Sequence, residues 1–298
     1  MKNNIKTCLI TFITKDLTKY LIILLIALLI SACGGGDTDE ELTIQDQEIA
    51  EETIEEDNTE QDSNIEDEST LDDKPSTEEI SVSNTCGSES NPLKIMPLGD
   101  SITESEKGHN SFRRRLWKLL KSADCQVDFV GRKKGVSLGY RNSAQATPPN
   151  PDFDMDHEAR WDYRVDEVLP LINSSIDKYR PDVVLIHLGT NDVLQGESIS
   201  GTVSEIEILI DSIRARKANT AFIVSRVIPC SRETSRIASL SSKIARLSSK
   251  NTKKSPVIIV DQSANYFISD NYDGIHPGNS GEQKIADIYF RAINSLYN

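Results

Sequence analysis

The sequence predicts an α/β fold built on a parallel sheet, and three observations point to it. Short apolar, β-branched runs recur at Leu93–Leu98, Val127–Val130, Val183–Leu188, Ala221–Ile228 and Val257–Asp261. Segments with helical spacing alternate with them. The runs are continuous rather than alternating, as in strands buried on both faces. Five such strands separated by helices make one sheet covered on both sides, and about 210 residues suffice for one such domain.

The helical segments are amphipathic. Across Phe112–Ala123, the residues Phe112, Leu116, Leu119, Leu120 and Ala123 share a face. Arg113, Arg114, Arg115 and Lys118 fall elsewhere and read as a solvated basic cluster. Val203–Arg216 repeats the spacing with Val203, Ile206, Leu209, Ile210 and Ile213. Ile237, Leu240, Ile244 and Leu247 do so again, and Ile285, Ile288, Ala292 and Leu296 mark the last helix. Residues 132–161 are irregular and contain Pro148, Pro149 and Pro151; loops this long in compact domains are often functional.

The 298 residues are not uniform in composition. Lys2, Lys6, Lys15 and Lys19 precede an apolar run, Tyr20–Ala32, too short to span a ~30 Å hydrocarbon layer as a helix. Ile30-Ser31-Ala32-Cys33 resembles the cleavage box of bacterial lipoproteins. The resemblance implies a signal peptide over residues 1–32 and lipidation of Cys33; an uncleaved signal anchor is the plainer alternative. Residues 33–85 read as an acidic disordered tether. Within them, residues 37–85 hold 20 Asp and Glu against the single Lys74, and cannot bury enough apolar surface to fold. The low pI therefore belongs to the tether, and the domain at 86–298 carries a net charge of +2. With no basic stripe and no nucleic-acid motif, nucleic acid is not an expected partner. Gly34 after Cys33 lacks the aspartate of an inner-membrane retention signal, so a lipid anchor in the outer membrane or at the cell surface is expected, on a monomeric protein.

Ligands of open α/β sheets bind beyond the carboxyl ends of the strands. Gly99-Asp100-Ser101 follows the first strand, Gly131 the second and Gly189-Thr190-Asn191-Asp192 the third. Asp273-Gly274-Ile275-His276-Pro277 lies past the fifth. A serine hydroxyl needs a base to take its proton, and His276 is the candidate. Asp273, one turn of chain earlier, can orient the imidazole and stabilise its charged form. Pro277 restricts the backbone of His276 to extended values. The Ser101 and Gly131 N–H groups and the Asn191 amide are candidate oxyanion donors. Each motif alone is unremarkable: a Gly-Asp-Ser turn, a turn glycine, a helix cap, a surface Asp-x-x-His. Their joint placement at strand ends carries the reading. Asp100 has no proton duty in this scheme and is expected to hold the turn that aims Ser101.

"GDSIT", the glycine after the second strand, "GTND" and "DGIHP" resemble the four blocks of the SGNH, or GDSL-type, hydrolases over about residues 93–295. The resemblance implies a flavodoxin-like three-layer α/β/α sandwich with five parallel strands, Ser101 as nucleophile with Asp273 and His276, and an oxyanion hole of Ser101, Gly131 and Asn191. "IMPLGDSITES", "GHNSFRRRLWKLL", "DMDHEARW", "PDVVLIHLGTNDV" and "DGIHPGNSGEQKIAD" further resemble the third family of carbohydrate esterases, which deacetylate acetylated xylan. That resemblance implies a serine esterase removing acetyl groups from a polysaccharide, with no cofactor. Members usually carry glycine directly after the Asp-His-Glu of the long loop; here Ala159-Arg160-Trp161 follows Glu158, which bears on sugar preference. The rival readings are a lipase, thioesterase or lysophospholipase on another acyl ester, and a non-catalytic carbohydrate-binding lipoprotein.

The remaining residues divide as follows. Cys8 lies in the signal segment. Cys86 and Cys125 precede the first two strands, neighbours in that fold, and are the pair expected to bridge, leaving Cys230 a free thiol. No CxxC or His-rich spacing marks a metal site. His157 and Trp161 in the long loop are candidate substrate contacts. His187, inside the third strand, reads as a packed core histidine, and His109 as a polar residue at a helix entry.

Overall fold

A computed structural model describes residues 86–297. The expected signal peptide, the expected acidic tether and Cys33 lie outside the described residues.

Five strands form one parallel sheet: β1 (Leu93–Gly99), β2 (Val127–Phe129), β5 (Val183–His187), β6 (Ala221–Arg226) and β7 (Val257–Asp261), in the order β2-β1-β5-β6-β7. This is the flavodoxin-like doubly wound order, with its switch point between β1 and β5. Successive side chains leave a strand on opposite faces, and both faces here are apolar. Ile95, Val183, Leu185 and Ile223 pack on one side under α2 (Ser111–Ser122) and α7 (Asn279–Tyr297). Met96, Leu98, Val184, Ile186, Phe222 and Val224 pack on the other, under α3 (Val165–Tyr179), α5 (Ile199–Arg216) and α6 (Thr234–Ile244). The result is three layers, α/β/α.

Two helices are single turns at the carboxyl edge of the sheet: α1 (Ser101–Glu104) after β1, and α4 (Thr190–Leu194) after β5. The helix over Val165–Tyr179 has no counterpart among the segments read from sequence. It contains Pro170, which removes one main-chain donor, yet Val165, Val168, Ile172 and Ile176 keep an apolar stripe that is buried. Tertiary burial outweighs the local cost.

The irregular stretch 132–161 is tied down along its length. Two-residue strands β3 (Lys133–Lys134) and β4 (Asp156–His157) pair antiparallel. Beyond β4 the chain runs along the edge of β1, where the Glu158 N–H donates to the Pro97 carbonyl and the Arg160 N–H to the Gly99 carbonyl, both at 2.9 Å. Arg113 fastens the stretch from beneath. Expected on a solvated face, it is fully buried. Its guanidinium donates to the carbonyls of Thr103 and Glu104 at 3.1 Å, of Met155 at 2.7 Å and of Gly135 at 2.5 Å. Burial pushes its pKa down to about 10, so it stays charged at neutral pH. Arg114 and Arg115 do lie at the surface, paired with Asp152 and Asp287.

A disulfide joins Cys86 to Cys125, with Cα atoms 4.8 Å apart, and pins the start of the domain beside β2. Cys230 is a buried free thiol.

Candidate active site

The parallel register brings four chain segments to one edge. Gly99 pairs with His187 across β1 and β5, so Ser101 and Asn191 leave adjacent strands at the same height. Ser101 opens α1. Asp100 is its N-cap: Oδ1 accepts the Ile102 N–H at 3.0 Å. This is the turn-holding role expected of it. Its Oδ2 is buried without a hydrogen-bond partner. Burial, partly opposed by the Ile102 N–H, pushes the Asp100 pKa up to about 7.

His276 sits on the segment between β7 and α7. Its Nε2 lies 2.9 Å from Ser101 Oγ and its Nδ1 2.7 Å from Asp273 Oδ2. The hydrogen bonds assign Nδ1 as donor to the carboxylate and Nε2 as acceptor from the hydroxyl. Burial tends to raise the Asp273 pKa, but N–H donors from His276 and Ile275 and the His276 ring hold it below the ordinary carboxylate value. Asp273 therefore stays ionised beside the imidazole. Asp273, His276 and Ser101 thus form an unbroken hydrogen-bonded chain, in the geometry of an acid–base–nucleophile triad.

Asn191 lies in the first turn of α4, which starts from Gly189 with φ of 111°. That backbone conformation favours glycine, and a Cβ there would come within 2.7 Å of Leu240 Cδ2. The Asn191 side-chain amide donates to the Tyr163 carbonyl at 3.1 Å; this fixes its orientation and leaves a second N–H on the same nitrogen. Asp192 accepts the Val165 N–H at 3.3 Å and so locks α3 to this turn. Gly131 follows β2, where the Val130 N–H donates to the Ile95 carbonyl at 2.9 Å. The long loop passes so close above it that a Cβ on Gly131 would overlap the His157 carbonyl.

The two loop candidates separate. His157 is fully buried; Nδ1 accepts the Ala159 N–H at 3.1 Å and Nε2 meets Gln145 Oε1 at 3.2 Å. It shapes the loop and has no face for substrate. Its pKa is held well below the ordinary value, mainly by burial and then by Arg113 and Lys133. Trp161, by contrast, enters the site and stacks on the His276 ring, with centroids 4.6 Å apart and planes at 24°. His187 is the packed core histidine expected of it, fully buried in β5. His109 stacks on Tyr272 at 4.1 Å, and Tyr272 lies 5.9 Å from His276. Among the described residues no group of three or more His, Cys, Asp and Glu is arranged to hold a metal ion.

Glu104 escaped sequence reading. Buried at the end of α1, it takes Lys133 Nζ at 2.9 Å and Gln145 Nε2 at 2.7 Å on one oxygen, and the Trp161 N–H on the other. The only signal was an acid three residues past Ser101.

Comparison with known proteins agrees with this architecture. A carbohydrate esterase family 3 protein from Talaromyces cellulolyticus is 29% identical and superposes with a TM-score of 0.60, covering 69% of this chain and 98% of that one. A Clostridium thermocellum family 3 carbohydrate esterase is 27% identical with a TM-score of 0.57, covering 70% and 100%. The multidomain esterase of Ruminococcus flavefaciens is 25% identical over 222 residues, which are 67% of this chain but only 28% of that longer protein. The sequence model of the GDSL-like lipase/acylhydrolase family matches residues 98–284, the span from the end of β1 into α7. With that span and the β2-β1-β5-β6-β7 sheet beneath it, the chain belongs to the GDSL-like lipase/acylhydrolase family of ester-bond hydrolases.

Proposed function

We propose that this protein is a serine esterase that removes O-acetyl groups from a polysaccharide, with Ser101, His276 and Asp273 as its catalytic triad. The observation that carries the chemistry is the Asp273–His276–Ser101 chain, with both links under 3 Å. Ser101 Oγ attacks the acetyl carbon as its proton passes to His276 Nε2. The oxyanion is met by the Ser101 and Gly131 N–H groups and the remaining Asn191 amide N–H. The tetrahedral adduct collapses; Nε2 returns its proton to the sugar oxygen, which leaves as the alcohol. Water, deprotonated by the same nitrogen, then attacks the acetyl-serine. As that adduct collapses, Nε2 gives the proton to the departing Ser101 Oγ, which frees the acetyl group as acetic acid and restores the enzyme. No step draws on a cofactor.

The acetyl-polysaccharide substrate is supported by the likeness to the two family 3 carbohydrate esterases and the multidomain esterase. We also infer that residues 1–32 are a signal peptide, that Cys33 carries the lipid, and that the acidic segment tethers the catalytic domain to the cell envelope. This rests on the sequence features alone. Acetate release from acetylated xylan, chitin oligomers and acetylated pectin, measured side by side with Ser101→Ala as control, tests the reading. Turnover of acetylated glycans that vanishes in Ser101→Ala supports it. Preference for octanoyl over acetyl p-nitrophenyl esters with no glycan deacetylation refutes the acetyl-polysaccharide reading.

A further inference from the structure

The proposed general base sits on a loop, and its two hydrogen bonds, to Asp273 and Ser101, act at the ring nitrogens in the plane of the imidazole. Neither resists tilting of the ring about the axis they share. A contact on the face of the ring does, and Trp161 supplies it: the two rings lie 4.6 Å apart and 24° from parallel. Trp161 is itself held. Its main-chain N–H donates to the buried Glu104 carboxylate, and the preceding Arg160 main-chain N–H donates to the Gly99 carbonyl at 2.9 Å. Glu104 closes the same one-turn helix that Ser101 opens. The nucleophile and the main chain that carries the indole are thus tied to the same one-turn helix.

We propose that Trp161 is a positioning residue for His276: its indole face fixes the imidazole plane and favours the imidazolium that forms as Ser101 attacks. An indole is the most effective aromatic partner for a cation over its face. Orientation of the base is worth large factors in rate because small misplacements are costly. The other groups around the imidazole are Asp273 at Nδ1, the Ser101 hydroxyl at Nε2, and the Tyr272 ring, whose hydroxyl donates to Glu106 at 2.6 Å. None of these contacts is made by Trp161. The proposal rests on the assignment of His276 as base.

The test reads His276 directly, by NMR titration of its ring in a Ser101→Ala background, where no turnover is needed. Trp161→Leu is expected to lower the His276 pKa by about half a unit to one unit, and Trp161→Phe by less. In the active enzyme, Trp161→Leu is expected to cut kcat for p-nitrophenyl acetate on the order of ten-fold with KM changed by less than about two-fold. Incorporating fluorinated tryptophans provides a version that preserves shape: the chain has two tryptophans, and progressive fluorination weakens the ring's attraction for a cation. His276 pKa falling stepwise with fluorine number supports the proposal even if Trp161→Leu does not fold. An unchanged or raised pKa overturns it, as does a rise in KM with kcat intact, which makes Trp161 a substrate contact instead. If Ser101→Ala keeps wild-type turnover, the esterase assignment fails separately, while the NMR comparison still decides the stacking.

Discussion

Asp273 grips His276 at two points: Oδ1 accepts the His276 main-chain N–H and Oδ2 the ring Nδ1–H, each at 2.7 Å. One carboxylate therefore sets both the backbone turn and the tautomer of the His276 imidazole. Asp273→Asn can keep the main-chain bond through its amide oxygen, but it places a donor where the ring needs an acceptor. The expected outcome is a folded enzyme whose kcat on p-nitrophenyl acetate falls on the order of a thousand-fold or more. A loss under ten-fold, with circular dichroism unchanged, removes Asp273 from the triad.

Asn191 offers one amide hydrogen beyond the one that the Tyr163 carbonyl occupies. Asn191→Ala is expected to lower kcat by about 10²–10³ with KM nearly constant, as for the loss of one oxyanion donor. Steady-state kinetics on a small acetyl ester read this. An unaltered kcat means that the oxyanion is stabilised elsewhere.

Arg113 and Arg114 are adjacent in sequence and opposite in consequence. Removing the fully buried Arg113 guanidinium strands the carbonyls of Thr103, Glu104, Gly135 and Met155. Arg113→Met is expected to cost more than about 3 kcal/mol in urea unfolding. Arg114→Ala loses only a surface pair with Asp152 and should cost less than about 1 kcal/mol. Similar values for the two substitutions would contradict the burial of Arg113.

Asp100 sets a pH dependence of stability with an unusual sign. Its folded pKa of about 7 stands above its ordinary value of 3.8. Between those values the unfolded chain gives up the proton more readily, so stability falls as pH rises from about 4 to about 7 and stays reduced above that. Asp100→Asn keeps an acceptor for the Ile102 N–H and removes the ionisation. The melting temperature of the variant should match wild type near pH 4 and exceed it at pH 8, by the equivalent of up to about 4 kcal/mol. Parallel melting curves across that range would sink the argument.

The Cys86–Cys125 bridge closes a separation of 39 residues. A double serine variant is expected to lose about 2–4 kcal/mol of stability by chemical denaturation, with the same loss in wild type under reductant. An unshifted midpoint in both cases would mean that the two sulfurs are not bonded in solution.

Much of this was legible in the sequence because the residues concerned follow strand ends. Ser101, Gly131 and Asn191 sit where apolar runs stop, and a parallel sheet brings such stops to one edge. Asp273 and His276 are three residues apart, so their contact is local. What the sequence hid depends on the long loop. Arg113 shares its stripe with Leu116 and Leu120, three and seven residues on, and all three are buried. Its charge suggested solvent, and nothing local says that residues 132–161 fold back over that side of the helix and give its guanidinium carbonyl partners. His157 looked like a substrate contact for the same reason, because its environment is made by Gln145 and Ala159 within a loop that has no periodicity. The Glu104–Trp161 bond spans 57 residues between two irregular segments, so no pattern announces it.

The crowding over Gly131 has a consequence for mutational scanning of this fold. The residue has no room for a methyl group because the His157 carbonyl lies where one would go, whatever its N–H does for an oxyanion. An alanine there displaces the 157–161 segment, and with it the indole that lies against His276. The activity lost would then combine at least two causes and overstate the glycine's share. Replacing the Gly131 amide with an ester linkage, which deletes the N–H and adds no side chain, separates them.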